Sequence, residues 1–560
     1  MDNFPWFEFY PKNVEKEVDV KAYSSVVNLF EESVKKFGDA TAYECMGKKL
    51  TFAEVDRYSR DFAAFLQQEL KLEKGARVAI QMPNCLQYPV AMFGVLRAGM
   101  IVVNTNPLYT PREMKHQFED SGADAIVILA NFAANLEKIR SEIKAKHIII
   151  TELGDMLGGL KGTIVNLVVK HVKKMVPAYH LPKALKWKAV MDKGAKATFT
   201  PTSLTLDDSA FLQYTGGTTG VSKGAELTHG NIVANMQQIS AWMKPKLKDK
   251  EEIVITALPL YHIFALTVNC LAMLKIGAHN VLITNPRDMP AFCKELGKHR
   301  FTVITGVNTL FNGLMNTEAF TKLDFSSLKV SVGGGMAVQK ATAEKWQKMT
   351  GVALAEGYGL TETSPVATCN PIDGTERIGT IGIPLPNTDI KVINDEGEQL
   401  PVGEKGELCI KGPQVMKGYW NRPDETEKVM MGDWFKTGDI AVIDGDGFVK
   451  IVDRKKEMIL VSGFNVYPNE VENAIAMHPK VVEVGVIGMP DDKTTEKVVA
   501  YVVAKDDTVS AEEVIAHSRQ ELTNYKVPRE VYFADELPKS NVGKILRRKI
   551  KEMHEKTVGE

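Results

Sequence analysis

Residues 124–151, DAIVILANFAANLEKIRSEIKAKHIIIT, decide the fold class. Two short runs rich in β-branched residues, DAIVIL (124–129) and HIIIT (147–151), are typical of strands. The longer stretch between them, ANLEKIRSEIKAK (134–146), mixes apolar and charged residues as surface helices do. A strand, a helix and a second strand in succession predict an α/β fold.

The same alternation extends to about residue 340. Its further strand-like runs are RVAIQMP (77–83), MIVVNTNP (100–107), EIVITALPL (252–260), HNVLIT (279–284), RFTVITGV (300–307) and LKVSVGG (328–334). Between residues 380 and 453, frequent turn signals separate short strands, which predicts a β-rich subdomain. After Asp453, helix-like and strand-like stretches follow in a short tail, which predicts a compact α+β unit and a domain boundary at this point.

The composition excludes several classes of protein. Across 560 residues, 69 Lys and Arg balance 70 Asp and Glu, so the formal net charge is -1 and we expect no nucleic-acid partner. The six cysteines form no CxxC motif and no Cys/His cluster, which argues against a disulfide framework or a structural zinc site and favours a reducing cytosol. We expect no secretory signal and no membrane-spanning helix, because the apolar stretches are too short.

A glycine-rich stretch, YTGGTTGVSKGAEL (214–227), has the composition of a phosphate-binding loop. Glycines allow backbone N–H groups to turn inward toward an anion, and hydroxyl side chains add further donors. The P-loop motif requires Gly before its lysine and Ser or Thr after it, whereas Lys223 lies between Ser222 and Gly224. An ordinary P-loop NTPase is therefore disfavoured, and a surface turn of small residues is the alternative at this stage.

Four further stretches combine glycine, hydroxyl and charged residues. SVGGGMAVQ and AEGYGLTETSP contain three consecutive glycines and a Tyr, Thr and Glu close together, a set that suits a nucleotide. KTGDIA and VDRKKEMILVSGFNVYPNEVE contribute Asp439, able to accept from ribose hydroxyls, and Arg454, able to contact oxygens in a forked geometry. LPKSNVGKILRRKI contributes Lys544. Singly, Asp439 could be a turn residue, Glu362 a capping residue and Lys544 a solvated charge.

These motifs, in this order and across essentially the whole chain, resemble the adenylate-forming acyl-CoA synthetase superfamily, and look closest to its bacterial long-chain-fatty-acid–CoA ligases. The resemblance implies an N-terminal adenylation domain (1–452) of α/β sheets with a β-rich subdomain, and a small mobile α+β C-terminal domain (453–560). It implies ATP, Mg²⁺ and CoA, with a fatty acid as the substrate. One departure is Ser222, where many relatives have Pro before the loop lysine.

The resemblance also implies roles for individual residues. The catalytic residues would be Lys544, Thr218, Glu362 and His262, with Glu362 also binding Mg²⁺ and His262 positioning the acyl group. A lone His in the apolar stretch LPLYHIFAL would otherwise be a core residue. The nucleotide and CoA would be held by Thr215, Gly216, Gly217, Thr218, Thr219, Gly220, Lys223, Gly333, Gly334, Gly335, Glu356, Gly357, Tyr358, Gly359, Thr361, Asp439, Arg454, Ser462, Gly463 and Phe464.

A basic segment stands apart from these motifs. Between Asp155 and Asp192 the chain carries seven lysines and no acidic residue, mixed with apolar side chains. Such a segment predicts peripheral contact with an anionic membrane, here the inner face of the cell membrane, with a solvated connector as the alternative.

The oligomeric state is left open, a homodimer being one option. Medium-chain or aryl acids, a carrier-protein thiol as acceptor, and a non-catalytic lipid-binding protein are the rival functions.

Overall fold

The computed structural model describes residues 4–215, 222–506, 508–540 and 542–559. Its strands are β1 Thr41–Cys45, β2 Lys48–Thr51, β3 Arg77–Gln81, β4 Ile101–Asn104, β5 Ala125–Leu129, β6 His147–Thr151, β7 Leu185–Lys186, β8 Ser209–Thr215, β9 Lys223–Thr228, β10 Ile253–Thr256, β11 His279–Leu282, β12 Val303–Gly306, β13 Val330–Gly333, β14 Leu354–Gly359, β15 Val366–Cys369, β16 Ile383–Pro384, β17 Asp389–Ile393, β18 Lys405–Lys411, β19 Gly418–Tyr419, β20 Met430–Met431, β21 Trp434–Ile443, β22 Val449–Arg454, β23 Ile459–Val461, β24 Phe464–Val466, β25 Val481–Asp491, β26 Thr495–Ala504 and β27 Glu530–Phe533.

The helices of the described ranges are α1 Val26–Phe37, α2 Phe52–Gln68, α3 Gln87–Arg97, α4 Pro111–Asp120, α5 Ala133–Ile139, α6 Gly159–Leu167, α7 Trp187–Gly194, α8 His229–Met243, α9 Met289–Leu296, α10 Asn308–Met315, α11 Glu318–Thr321, α12 Lys340–Thr350, α13 Pro423–Val429, α14 Pro468–Ala476, α15 Ala511–Glu521 and α16 Arg547–Gly559. Short 3-10 turns cover Pro5–Phe9, Ala130–Phe132, Ala272–Ile276, Thr361–Thr363, Lys455–Glu457 and Asn524–Lys526, and π-helical turns cover Val168–Val172 and Ala265–Leu271.

The segment 124–151 forms β5, α5 and β6, as the sequence predicts. The two strands pair in parallel, with Ala125 opposite His147 and Leu129 opposite Thr151. Every residue of β5 is buried, which explains its continuous apolar run, since a strand inside a parallel sheet has no solvent-facing side. Helix α5 ends at Ile139, before the charged residues that follow it, because the chain turns there to enter β6. The α/β class is confirmed.

Two large sheets form the first part of the molecule. One has eight strands in the order β19-β9-β8-β4-β3-β5-β6-β7, and the other has nine in the order β16-β15-β14-β13-β12-β10-β11-β1-β2. Their central strands run parallel, so the carboxyl ends of β12, β13 and β14 open at one edge. In doubly wound sheets this edge is where ligands bind.

The predicted β-rich segment contains β16 to β22. A five-stranded sheet, β17-β18-β21-β20 with β22 paired to β21, forms most of it. Strands β21 and β22 are antiparallel, and their register places Asp439 directly opposite Arg454. This pairing brings together two residues that lie in separate sequence motifs.

The last part of the chain forms a sheet of its own, β24-β23-β26-β25 with β27 beside β26. The main hydrophobic core ends at Val449, and a separate core of the tail begins at Ile459. A domain boundary at Asp453 stays a prediction, which this change of core supports. The tail contacts α10, where Asn312 donates to the Val482 carbonyl at 2.7 Å.

Two further sequence expectations concern cysteines and membrane spans. All six cysteines are buried and carry free thiols. Among the described residues, no helix combines the length and the apolar character needed to cross a membrane.

Candidate active site

A cavity of about 930 Å³ opens at the carboxyl ends of β13 and β14 and is closed by residues of β21, β22 and the C-terminal tail. The residues that line this cavity are up to 330 positions apart in the sequence, from Tyr214 to Lys544. The predicted site residues that line it are Thr215, Lys223, His262, Gly334, Gly335, Gly357, Tyr358, Gly359, Thr361, Glu362, Asp439, Arg454 and Lys544.

Strand β14 and the 3-10 turn after it carry Tyr358, Thr361 and Glu362 into the cavity. Gly359 is required at the end of the strand, because a Cβ built there would lie 1.8 Å from the Pro365 carbonyl oxygen. The chain can therefore fold back tightly enough to present the Glu362 carboxylate. Oε1 of Glu362 accepts a hydrogen bond from the Tyr419 hydroxyl at 2.7 Å, which fixes the orientation of the carboxylate.

Asp439 lies at the centre of a second polar group. Its Oδ2 accepts a hydrogen bond from the Tyr358 hydroxyl at 2.6 Å, and its Oδ1 is 3.6 Å from Arg454 Nε. Burial raises the pKa of Asp439 above its usual range, while the Arg454 guanidinium opposes this rise. A carboxylate, a phenol and a guanidinium thus meet at one wall of the cavity, a set able to hold a hydroxylated ring system.

Lys544 reaches the same cavity from the C-terminal tail. Its loop is anchored by Thr309 on α10, whose hydroxyl donates to the Gly543 carbonyl at 2.9 Å. A Cβ built on Gly335 would lie 3.8 Å from Lys544 Cε, so the lysine stem passes close to the glycine backbone. Burial and the nearby Arg454 guanidinium lower the pKa of Lys544 to about 8. The ammonium is therefore a cation held in a site that disfavours charge.

The described ends of the glycine-rich stretch belong to β8 and β9, which pair antiparallel. Thr215 and Lys223 pair at the ends of these strands, and the Ser222 hydroxyl donates to the Thr215 carbonyl at 2.6 Å. The predicted loop residues Gly216, Gly217, Thr218, Thr219 and Gly220 lie outside the described residues. Lys223 Nζ is 2.6 Å from Glu425 Oε2, so an incoming anion must replace this carboxylate as the partner of the Lys223 ammonium.

His262 is a neutral residue of the cavity wall. Burial and the charge of Lys544 lower its pKa to about 3. Its Nδ1 accepts the Phe264 N–H at 3.3 Å, which leaves the proton on Nε2. His262 can therefore donate a hydrogen bond at neutral pH and is a poor proton acceptor, and its positioning role stays a prediction.

The opposite end of the cavity is apolar. It lies between α8 and the edge of the nine-stranded sheet, and Trp242 is fixed there by a 3.0 Å hydrogen bond from its indole N–H to the Asn370 carbonyl. Its lining is Ile239, Trp242, Met243, Phe264, Val268, Val332 and Leu385. A ligand with a charged head and an apolar body fits this division of the cavity.

Of the predicted site residues that the structure describes, five do not line the cavity. Gly333 packs against Val338, and Glu356 accepts the Val338 N–H at 3.0 Å with a pKa raised to about 8 by burial. Gly333 is the last residue of β13, whereas Glu356 lies inside β14. The turn Ser462–Phe464 lies between β23 and β24, where the Phe464 ring stacks on Tyr525 at 4.8 Å.

Sequence reasoning missed several residues of the cavity. Tyr419 and Glu425, which hold Glu362 and Lys223, lie in a stretch that shows no motif. Thr437, Lys455 and Lys456 were inside the quoted motifs but were given no role. Proximity in sequence to Asp439 and Arg454 is the signal that could have identified them.

Glu362 is the candidate magnesium ligand of the cavity. Glu362 offers a carboxylate that faces the cavity while one of its oxygens is held by Tyr419. Mg²⁺ in nucleotide sites is commonly bound by one or two carboxylates together with phosphate oxygens. The donor set therefore fits this ion.

Comparisons with known proteins agree with this geometry. The family model "AMP-binding enzyme" matches residues 30–420, and the model "AMP-binding enzyme C-terminal domain" matches residues 470–544. A long-chain-fatty-acid–CoA ligase of Escherichia coli O6:H1 is 54% identical over 98% of this chain and 98% of its own length. One from Yersinia pestis is 55% identical over 98% of this chain and 97% of its own length.

Solved structures of related fold give the same result. ATP-bound MatB from Rhodopseudomonas palustris superimposes with a TM-score of 0.77 at 29% identity, covering 94% of this chain and 99% of its own. The anthranilate CoA ligase AuaEII, in complex with anthranoyl-AMP, superimposes with a TM-score of 0.86 at 24% identity, covering 96% of this chain and 98% of its own. At 24% identity, the similarity to AuaEII is evidence for the fold alone.

Proposed function

Because the chain belongs to the AMP-binding enzyme family, we propose that its cavity activates a long-chain fatty acid with ATP and transfers the acyl group to CoA. The observation that carries this proposal is a single cavity with a cationic, carboxylate-rich end and an apolar end. Full-length similarity to enzymes named long-chain-fatty-acid–CoA ligase supports the choice of substrate. The enzyme is an acid–thiol ligase that uses ATP, Mg²⁺ and CoA.

The first step needs charge stabilisation. The fatty acid carboxylate attacks the α-phosphorus of ATP, pyrophosphate leaves, and an acyl-adenylate forms. We assign Lys544 to the negative charge that builds up on the phosphates, and Lys223 with the glycine-rich stretch after Thr215 to the leaving β- and γ-phosphates. When bound at Glu362, Mg²⁺ neutralises phosphate charge and orients the triphosphate.

The remaining polar residues position the reactants. We assign the Tyr358 ring to adenine, Asp439 to the ribose hydroxyls and Arg454 to bracing the nucleotide from the tail side. Thr361 contacts the α-phosphate region, and neutral His262 orients the carboxylate end of the fatty acid. The apolar end beside Trp242 excludes water from the acyl chain.

The second step requires a different arrangement, because Lys544 occupies space over the α-phosphate that the CoA arm must later reach. The tail would rotate about Asp453, withdraw Lys544 and bring the Ser462–Phe464 turn toward the cavity mouth. In the present arrangement this turn is exposed, and a Cβ on Gly463 would meet open space. The thiol of CoA then attacks the acyl carbonyl and AMP leaves.

We also propose a peripheral contact of α6 with the inner face of the cell membrane. Gly162 on its inner side packs against Gly154, which leaves the outer side free. Leu160, Ile164 and Leu167 follow at i, i+4 and i+7 on that outer side, and they are 76%, 49% and 53% exposed. Lys170, Lys173 and Lys174 follow in exposed positions. Exposed apolar side chains with lysines and no acidic residue suit an anionic lipid surface.

The decisive experiment is pyrophosphate release from ATP and Mg²⁺ with a panel of fatty and aryl acids, with and without CoA. We expect long-chain fatty acids to give pyrophosphate without CoA and acyl-CoA when CoA is added. Turnover confined to aryl or medium-chain acids would refute the substrate class. Absence of pyrophosphate with every acid, in a preparation that binds ATP, would refute the activity and favour a non-catalytic lipid-binding protein.

A further inference from the structure

Two glutamates and two histidines meet at the far edge of the nine-stranded sheet, and none of them lines the nucleotide cavity. Glu44 lies on β1, His279 begins β11, Glu295 lies in the last turn of α9, and His299 follows that helix. We name these four residues the Glu/His cluster. Strands β1 and β11 are parallel neighbours, which brings Glu44 beside His279.

The distances within the Glu/His cluster suit a bound ion. One ligand atom from each of Glu44, Glu295 and His299 lies within 4.8 Å of the other two. Glu44 Oε2 is 3.1 Å from His279 Nε2. Two ligands of one tetrahedral ion, with bonds of about 2.0–2.1 Å, lie roughly 3.3 Å apart.

Hydrogen bonding does not account for the innermost atoms. Glu44 Oε2 and His279 Nε2 are both buried, and neither has a hydrogen-bond partner among the described residues, although only 3.1 Å separates them. The Glu44 side chain is 6% exposed and the nearest ammonium, that of Lys49, is 3.7 Å away. A buried carboxylate oxygen without a hydrogen bond is costly, and coordination of a cation removes that cost.

The chemistry of the four side chains indicates which ion. Imidazole nitrogen with carboxylate oxygen suits borderline divalent metals such as Zn²⁺ better than Mg²⁺ or Ca²⁺, which prefer oxygen alone. The His279 and His299 rings lie edge to face, with centroids 6.1 Å apart.

We propose that the Glu/His cluster is a second metal site, which binds one Zn²⁺ per chain and ties the β1–β2 hairpin to α9. Its role is structural, since Glu44 is far in sequence from Glu295 and His299, and an ion bound by these three residues closes a long loop of the chain, with His279 beside Glu44. Lys298, which pairs with Glu295, and Lys49 compete with the ion as exposed cations that can turn to solvent.

The test is titration of metal-stripped, full-length protein with Zn²⁺ in excess Mg²⁺ and without ATP. We expect one Zn²⁺ per chain, a rise in Tm, and, with Co²⁺ as the probe, visible d–d absorption of a tetrahedral site. Glu44→Gln and His299→Gln should each raise the Kd by at least about 100-fold, because even the loss of an outer partner costs about 10–100-fold.

His478→Gln is the matched control, since His478 also pairs edge to face with a histidine, His517, outside the Glu/His cluster. It should leave the stoichiometry and Kd unchanged. If a ligand variant does not fold, Lys298→Gln still tests the site, because removal of the competing ammonium should lower the Kd about two- to fivefold. No Zn²⁺ retained by the folded wild type, or an unchanged Kd in folded Glu44→Gln, His299→Gln and Lys298→Gln, would overturn the proposal.

Discussion

The surroundings of Lys544 make its ammonium group easier to deprotonate. Its pKa is lowered to about 8, so the side chain is mostly protonated at pH 7 and mostly neutral at pH 9. In the proposed mechanism the adenylation step needs this cation. We therefore expect kcat/KM for ATP in adenylate formation to fall as pH rises through about 8, because this parameter reports ionisations of the free enzyme.

The control for this pH profile is Lys544→Arg, in which the guanidinium keeps its charge at all accessible pH values. Its activity should be lower overall but should not fall above pH 8. Preformed acyl-adenylate and CoA provide a second control, since that step does not need the lysine. An alkaline fall of the same midpoint in Lys544→Arg would assign the ionisation to another group.

At the residue scale, the sequence predicted the residue types of the site well. Motif order and chemistry identified Tyr358, Glu362, Asp439, Arg454 and Lys544, and the structure brings all five to one cavity. The partners of these residues were not predictable, because Tyr419 and Glu425 come from a stretch without a motif. The Glu/His cluster was missed for the same reason, since its members are scattered from residue 44 to residue 299.

At the element scale, the start of α16 contains two arginines with opposite surroundings. Arg547 is 14% exposed and contacts Asp453, Glu457 and Glu472, whereas Arg548 is 70% exposed and contacts Glu552. Arg547→Ala leaves buried carboxylates without their cation. We expect it to cost about 3–5 kcal/mol.

Hydrogen exchange of the β25 and β26 amides measures this loss, because it reports the opening free energy of the tail sheet alone. Arg548→Ala is the matched control at the neighbouring position, and an exposed pair of this kind should change the opening free energy by less than about 0.5 kcal/mol. Equal effects of the two substitutions would show that the Arg547 contacts do not hold the tail together.

The three lysines that follow helix α6 test the membrane proposal. Replacing Lys170, Lys173 and Lys174 with Glu should weaken co-sedimentation with anionic vesicles by at least about 100-fold, since each lysine near the surface contributes about 1 kcal/mol. High salt should weaken binding of the wild type as well. The matched control carries the same charge change at three exposed lysines of another surface, Lys322, Lys340 and Lys348. Vesicle binding that survives both salt and the first triple substitution would contradict the proposal.

Element predictions succeeded where one segment determines its own structure. Burial on all sides explains the apolar run of β5, and the sequence showed it plainly. The basic segment was less predictable. Its helical parts are α6 with the π-helical turn after it, over 159–172, and the start of α7, and the lysines between them lie in irregular structure and β7. Local composition indicated charge and apolar content there but not where the helix ends.

At the scale of the whole molecule, the two steps of the reaction should fail separately. Lys544→Ala removes a cation that the proposed mechanism needs only for adenylate formation, so we expect that barrier to rise by on the order of 3 kcal/mol and thioester formation from preformed acyl-adenylate to change little. A bulky residue at Gly463, where φ is +84°, should instead impair thioester formation and leave adenylate formation near normal.

Single-turnover kinetics of each half-reaction in both variants is the measurement. If Lys544→Ala slows only adenylate formation and the Gly463 variant slows only thioester formation, the result supports rotation of the tail about Asp453. Equal loss of both steps in Lys544→Ala would instead assign this lysine a structural role.

The arrangement of whole sheets was beyond sequence reasoning. Alternating strands and helices predicted an α/β molecule, yet nothing in the pattern indicated that β1 and β2 would join β11 in the nine-stranded sheet. Strand neighbours of this kind are decided by packing between distant segments.

The burial of all six cysteines has a consequence for an enzyme whose second substrate is itself a thiol. Burial raises the pKa of every one of these side chains, and Cys369 lines the cavity in which the reaction takes place. Exchange with a disulfide requires an accessible thiolate. We therefore expect oxidised CoA to form mixed disulfides with the folded chain only slowly, since even Cys369 at the cavity wall is buried and has a raised pKa.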